Sequence, residues 1–318
     1  MAECKPLILA VVGPTASGKT ALGVEICKKL GGEVISCDSM QIYKGMDIAT
    51  AKPSADEMQS IPHHLIGFVD PVSEYSVAAY CDEACRAAED IISRGRVPVL
   101  VGGTGLYYSS FSDNIRFPDA ASDPALRQEL KETALREGTG ALLERLREVD
   151  PNRAARLHEN DTDRIIRALE VYILTGQTIT RQEQLSRSEP SPFRFVTAFL
   201  DARDRSYLYD RINRRVDMML ESGLLDEAKR FYDSERGKTA VQAIGYKELF
   251  PYFEGNASLE ECVENLKMQT RRYAKRQLTW FRRDERAKAF YIDDYPDTAS
   301  LAEAVLEYFI KEGDAGVK

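Results

Sequence analysis

None of the six cysteines (Cys4, Cys27, Cys37, Cys81, Cys85, Cys262) stands in a C-x-x-C pair, so the sequence offers neither a zinc site nor a disulfide framework. Reduced thiols in a cytoplasmic protein are the economical expectation. No apolar run approaches the roughly 20 residues needed to cross a bilayer, and no membrane partner is expected. A strand pattern begins at Leu7, where a secretory signal would need an apolar segment and a cleavage site. Positive charge is also scarce. Lys and Arg number 43 against 51 Asp and Glu, a formal charge of −8, which argues only weakly against nucleic acid because a whole-chain balance can hide a basic face. His63-His64 has no third ligand nearby, so the pair reads as turn or interface histidines. Neither an internal repeat nor a low-complexity tract is present. What is there, 43% hydrophobic and 30% charged residues over 318 positions, suits a soluble globular protein of one large or two modest domains, expected as a monomer.

The most informative stretch is Gly13-Pro14-Thr15-Ala16-Ser17-Gly18-Lys19-Thr20, which matches G-x-x-x-x-G-K-[ST] at every fixed position. The apolar run Leu7–Val12 before it reads as a buried strand. After it, Ala21, Leu22, Val24, Ile26 and Leu30 fit a helix that stops at Gly31-Gly32. Strand, glycine loop and helix together make a phosphate nest: backbone N–H groups point inward, and the helix N-terminus and Lys19 add positive charge. Thr20 is placed to bind Mg²⁺ through its hydroxyl. The motif does not say whose phosphates are held.

Further along, Glu33–Ser36 reads as a second strand, a helix as covering Val77–Ser93 with Ser76 as cap, and Val97–Val101 as a third strand ending in Gly102-Gly103-Thr104. Strands alternating with helices predict an α/β fold with a parallel sheet of the P-loop NTPase type, flanked by helices. The pattern turns helical and charged near Phe117-Pro118 and resumes the sheet at Phe195–Leu200. Residues 117–193 are therefore read as a helical insertion into a core made of 1–116 and 194–318. Helices are expected from there on, including Gly245–Glu254 and Leu259–Arg283.

Four features could carry chemistry. Asp38 ends the second strand, where ligands of a parallel sheet collect; a carboxylate there could bind Mg²⁺, act as a general base or cap a turn, and position does not decide between them. The apolar strand that in most P-loop NTPases ends in a metal-holding Asp here ends in Gly-Gly-Thr. Asp201 ends another strand, but the nearby Arg203 and Arg205 make it equally a paired surface residue. Between Lys267 and Lys288 nine basic residues face two acids, with Tyr273, Trp280 and Phe281 interleaved. That mixture suits RNA phosphates and stacked bases, or else a solvated helix face. Arg211, Arg214 and Arg215 fall at helical spacing and could clamp a diphosphate or pair with Asp210 and Asp217.

Taken together, the stretches GPTASGKT (13–20), DSMQIYKGMDIATAKP (38–53), VGGTGLY (101–107), DPNRAARLHENDTDRIIRALEVY (150–172), RINRRVDMMLESGLLDE (211–227), AIGYKEL (243–249) and TRRYAKRQLTWFRR (270–283) resemble, in order, the bacterial-type tRNA dimethylallyltransferases, the tRNA isopentenyltransferase family. The resemblance implies transfer of a dimethylallyl group from dimethylallyl diphosphate to N6 of the adenine 3′-adjacent to the anticodon, in tRNAs reading codons that begin with U. The phosphate loop would then hold the prenyl donor, with Mg²⁺ at Thr20. It further implies Asp38 as general base and Thr104 as the residue positioning the amine or the base. Lys19 and an arginine, Arg215 before Arg211, would stabilise the departing diphosphate. Contacts to the tRNA anticodon stem-loop would come from Asp38, Ser39, Met40 and Gln41, from Asp163, Arg164, Ile165, Ile166 and Arg167, from Gln242, Ala243, Ile244, Gly245, Tyr246 and Lys247, and from Arg127 and the basic helix. The alternatives are an adenylate isopentenyltransferase, a P-loop small-molecule kinase and a non-catalytic RNA-binding protein.

Overall fold

The structure, a computed structural model, describes residues 5–115, 123–186 and 189–314. Six parallel strands, β1 (Leu7–Val12), β2 (Gly32–Cys37), β3 (His63–His64), β4 (Val97–Gly102), β5 (Arg194–Asp201) and β6 (Ala287–Tyr291), lie in the order β3-β2-β4-β1-β5-β6. Strands β1, β2, β4 and β5 are buried over most of their length. A parallel sheet is covered on both faces, which is why these strands read as continuous apolar runs. The two edge strands carry no such run and were not expected. Ala287–Tyr291 is held by its pairing with Thr197–Asp201, not by a hydrophobic pattern of its own. His63-His64 is likewise an edge strand, paired with Val34-Ile35, rather than a turn. His64 Nε2 lies 2.8 Å from the buried Glu33 carboxylate. The hydrogen bonds of Arg94 and then His64 hold that carboxyl down at about 2.

Helix boundaries follow local signals. Lys19–Leu30 stops at Gly31 in the left-handed conformation (φ 65°). Val77–Ser93 starts at Ser76, whose hydroxyl accepts the Ala79 N–H, and Leu259–Phe281 opens with a reciprocal Ser258–Glu261 capping box. The helix expected over Gly245–Glu254 is absent. A 3-10 turn, Ala240–Gln242, precedes the segment, and within it stand turns and a single turn of helix, Phe250–Phe253. Gly245 adopts φ +111°, outside the helical region, and a Cβ there would come within 2.7 Å of Ala49 Cβ.

The chain divides into two compact units, residues 1–112 with 192–318 and residues 113–191. The first holds the sheet and two apolar cores. One surrounds the strands, and the other joins Ile42, Tyr43 and Met46 to Val216, Leu224 and Tyr246. The second is helical: Pro124–Glu137, Thr139–Val149, Pro151–Ala154, Thr162–Thr175 and Ile179–Ser186 close on Leu130, Leu142, Leu146, Ile165 and Leu169. The boundary expected at Phe117-Pro118 and Ser188 of the expected linker lie outside the described residues.

Candidate active site

Strand register brings the motifs together. Gly102 of β4 is the partner of Val12 on β1 and of Cys37 on β2. The residues that leave these strands, Gly13, Gly103 and Asp38, therefore start at one level on three neighbouring strands, at the carboxyl edge where ligands bind. The junction admits no side chains. A Cβ on Gly102 would stand 2.1 Å from the Cys37 carbonyl oxygen, and one on Gly13 would stand 2.7 Å from that of Leu200.

The phosphate loop is pre-shaped. Ala16 (φ 62°) and Gly18 (φ 88°) turn it through the left-handed region. The helix that follows begins without a side-chain cap, leaving its first N–H groups for a ligand. Internal bonds fix the turn: Ser17 Oγ donates to the Pro14 carbonyl at 2.8 Å, as does Lys19 Nζ, and Arg211 Nε donates to the Ala16 carbonyl at 2.7 Å. Burial, followed by the charge of Arg215, brings the Lys19 ammonium down to about 7, against the opposing pull of Asp38. Burial also lowers Arg215, with Glu57 and Asp38 opposing. An anion would relieve both groups.

Thr15, Ala16, Lys19 and Thr20 line one side of a cavity of about 250 Å³; Asp38, Ser39, Met40 and Gln41 line another, and Arg215 shares the space. Asp38 Oδ1 accepts the N–H groups of Met40 (2.9 Å) and Gln41 (3.3 Å). Among the described residues no bond reaches Oδ2. Thr104 stands beside this turn. It does not line the cavity; its Oγ1 accepts the Ser39 N–H at 3.0 Å and lies 3.3 Å from Ser39 Oγ. It thus supports the turn that carries Asp38.

The arginine triad separates. Arg211 and Arg215 face the loop and the cavity, while Arg214 is exposed, its Nε on the Asp210 carbonyl. Asp217, expected as their partner, pairs with Lys267 at 2.8 Å. The basic helix separates too. Arg271 is bound to Asn213, and Arg282 holds the buried Asp201 at 2.8 and 3.0 Å. Asp201 is therefore neither a metal ligand nor a surface residue, and Arg203, its expected partner, binds Asp294 instead. Arg276 lines the cavity, and Arg272, Lys275 and Arg283 are exposed with no acidic partner among the described residues.

Of the residues expected to touch RNA, Gln242, Ala243, Ile244, Gly245 and Lys247 line the cavity. Tyr246 does not, being fully buried. In the helical unit Asp163 and Arg164 are exposed, but Ile165 and Ile166 are 0% and 1% exposed and belong to its core, which removes them as contacts. Arg127 and Arg167 both bind the buried Glu170 carboxylate, at 2.8 and 2.7 Å.

One cavity residue, Gln277, was not expected. Gln277 accepts the Thr15 N–H on Oε1 (2.9 Å) and donates Nε2 to the Gly103 carbonyl (2.8 Å), stitching the phosphate loop to the Gly-Gly-Thr turn. Tyr273 lines the same cavity, where burial and then the Asp38 charge raise its hydroxyl above its ordinary value. Both lie in TRRYAKRQLTWFRR, where Tyr273 is one of the aromatics interleaved with the basic residues and Gln277 carries no motif of its own.

Comparison with known proteins bears on this geometry. The family model described as IPP transferase matches residues 41–284, and that described as isopentenyl transferase matches residues 6–67. The tRNA dimethylallyltransferase of Geobacillus thermodenitrificans is 48% identical over 303 residues, covering 95% of each chain. That of Halalkalibacterium halodurans is 49% identical over 291 residues, 91% of this chain and 92% of its own. Among solved structures, the tRNA isopentenylpyrophosphate transferase of Bacillus halodurans is 43% identical with a TM-score of 0.72, covering 99% of this chain and all of its own. A eukaryotic dimethylallyltransferase acting on tRNA is 30% identical with a TM-score of 0.79, covering 97% of this chain and 80% of its own. These are proteins with a P-loop NTPase-like core, the fold of the six-stranded sheet described above. This chain belongs to the IPP transferase family, the tRNA dimethylallyltransferases.

Proposed function

We propose that this protein transfers the dimethylallyl group of dimethylallyl diphosphate to N6 of the adenine 3′-adjacent to the anticodon, in tRNAs reading codons that begin with U, and that it does so as a cytoplasmic monomer. One observation carries the reading: the Asp38 carboxylate, with Oδ2 unbonded among the described residues, shares a single cavity with the phosphate loop, Lys19 and Arg215.

An adenine amine is a weak nucleophile because its lone pair is delocalised into the ring. Asp38 takes the N6 proton as nitrogen bonds to the allylic carbon, and the carbon–oxygen bond to the diphosphate breaks in the same step. Positive charge on the allylic carbon and negative charge on the leaving diphosphate develop together. The loop N–H groups, Lys19 and Arg215 meet the latter. Ile212, Val216 and Met219, on the helix that carries Arg215, supply an apolar wall for the prenyl chain.

Thr20 suits Mg²⁺. Its place beside Lys19 lets its hydroxyl share an ion with the donor's phosphates, the usual manner of holding magnesium. Among the described residues no cluster of three His, Cys, Asp or Glu side chains could hold an ion without the substrate. Bound there, Mg²⁺ would neutralise part of the leaving group's charge.

The target base must leave its stack to enter the cavity. The anticodon stem-loop would rest on Arg272, Lys275, Arg276 and Arg283 and, in the helical unit, on Arg164, mainly through backbone phosphates. A free nucleotide would need none of these.

Labelled dimethylallyl diphosphate, Mg²⁺ and two acceptors, AMP and an unmodified anticodon stem-loop, test the proposal. Label in the stem-loop alone is expected. Label in AMP alone would make the protein an adenylate isopentenyltransferase. Label in neither, with phosphoryl transfer from ATP, would make it a kinase.

A further inference from the structure

A buried carboxylate, Glu227, has no part in the chemistry above, yet its bonds reach the cavity. It sits in the first turn of the helix Leu224–Asp233 and is 4% exposed. Oε2 accepts the backbone N–H groups of Asp47 (3.0 Å) and Ile48 (2.9 Å); Oε1 accepts the Ala49 N–H (3.0 Å) and the Tyr246 hydroxyl (2.8 Å). An ionised carboxylate has about four lone-pair sites, and these four donors occupy them. Three successive N–H groups converging on one anion set the course of the chain that follows. Thr50 and Ala51 then present their carbonyls to the Gln41 side-chain amide at 3.2 and 3.0 Å. The Gln41 backbone N–H is in turn one of the two donors on Asp38 Oδ1. Tyr246 lies behind the cavity, next to Gly245, which packs directly against Ala49.

We propose that Glu227 is a positioning residue for the acceptor. It ties segments 47–51 and 243–247 to each other, so that the cavity wall meeting the incoming base and the turn holding Asp38 keep one geometry. The proposal rests on the acceptor assigned above. None of these bonds touches residues 13–20 or Arg215, so the phosphate-binding groups are held without it.

Glu227→Gln sets an amide donor against backbone donors and should lower kcat/KM for the anticodon stem-loop by roughly 100-fold, the cost of a misplaced reacting group. Equilibrium affinity for dimethylallyl diphosphate should stay within about twofold. Tyr246→Phe removes one bond while keeping the shape and should lower the same ratio by about three- to tenfold. It carries the test alone if Glu227→Gln fails to fold. Equal losses on the donor and acceptor sides, or no loss in either variant, would overturn the role. If the wild-type protein places no label in the stem-loop, the acceptor reading fails and this role falls with it. Wild-type transfer with unselective variants would overturn the role alone.

Discussion

The phosphate-binding loop of the cavity is one run of eight residues, whereas the acceptor side is assembled from segments nearly 200 positions apart, Ala49 and Gly245 among them. On the donor side the loop's own bonds, Ser17 and Lys19 to Pro14, define its shape, and outside help comes from Arg211 and Gln277. On the acceptor side local bonds around Asp38 and Gln41 are joined by long-range contacts: Thr104 to the turn after β2, Glu227 to residues 47–49, and Gly245 packed against Ala49. A phosphate is small and symmetric, and a short nest of N–H groups suits it. A flipped base within a folded RNA must be met from several directions, and several chain segments are needed to do so.

Substitutions on the two sides should fail differently. Asp38→Ala should cause the largest loss, about 10³-fold in single-turnover transfer, with stem-loop affinity nearly unchanged. Activity near wild type would remove Asp38 as the base. Lys19→Ala should slow transfer by about 10²-fold and weaken donor binding; unchanged kinetics would separate the loop from the diphosphate. Gln277→Glu bridges the comparison, because it sets a carboxylate against the Gly103 carbonyl and disturbs both sides. A roughly tenfold fall in kcat is expected, with rescue failing in Gln277→Met, which has no amide to bridge the loops. Within the basic helix, replacing Arg272 and Arg276 by alanine should reduce the salt dependence of stem-loop binding by about 1.5 log units per log unit of salt. Arg282→Ala should leave that slope alone and instead lower stability by about 3 kcal/mol in a denaturant titration, since buried Asp201 loses its partner.

The smallest effect concerns pH. In the free protein Lys19 titrates near 7, and a bound diphosphate favours its charged form. Donor binding should therefore take up a proton above pH 7, and affinity should decline as pH rises from 7 to 9. Calorimetry in buffers of different ionisation heat measures that uptake directly, and none at pH 8 would contradict the shift.

Much of the α/β core was legible because buried parallel strands are apolar without interruption and helix ends carry caps. Val77–Ser93 with Ser76 is the plain case. The strand Ala287–Tyr291 was not legible, because its stability lies in pairing with β5 and not in its composition. Gly245–Glu254 misled for the opposite reason. Its residues tolerate a helix, but the close approach of Gly245 to Ala49 imposes another backbone. Ile165 and Ile166 sat in a motif that matched as a block, and a match by block does not distinguish the face that meets a partner from the face that fills the core.

The amino-acid sequence by itself determined the phosphate loop, the four central strands of the parallel sheet and the family, since each is written in contiguous residues whose local chemistry is sufficient. Only the tertiary structure decided which arginine faces the cavity, that Thr104 serves Ser39, and that Gln277 and Glu227 hold the walls. Those assignments depend on hydrogen bonds between residues distant in the chain, and such bonds are set by how the elements pack, which no local pattern encodes.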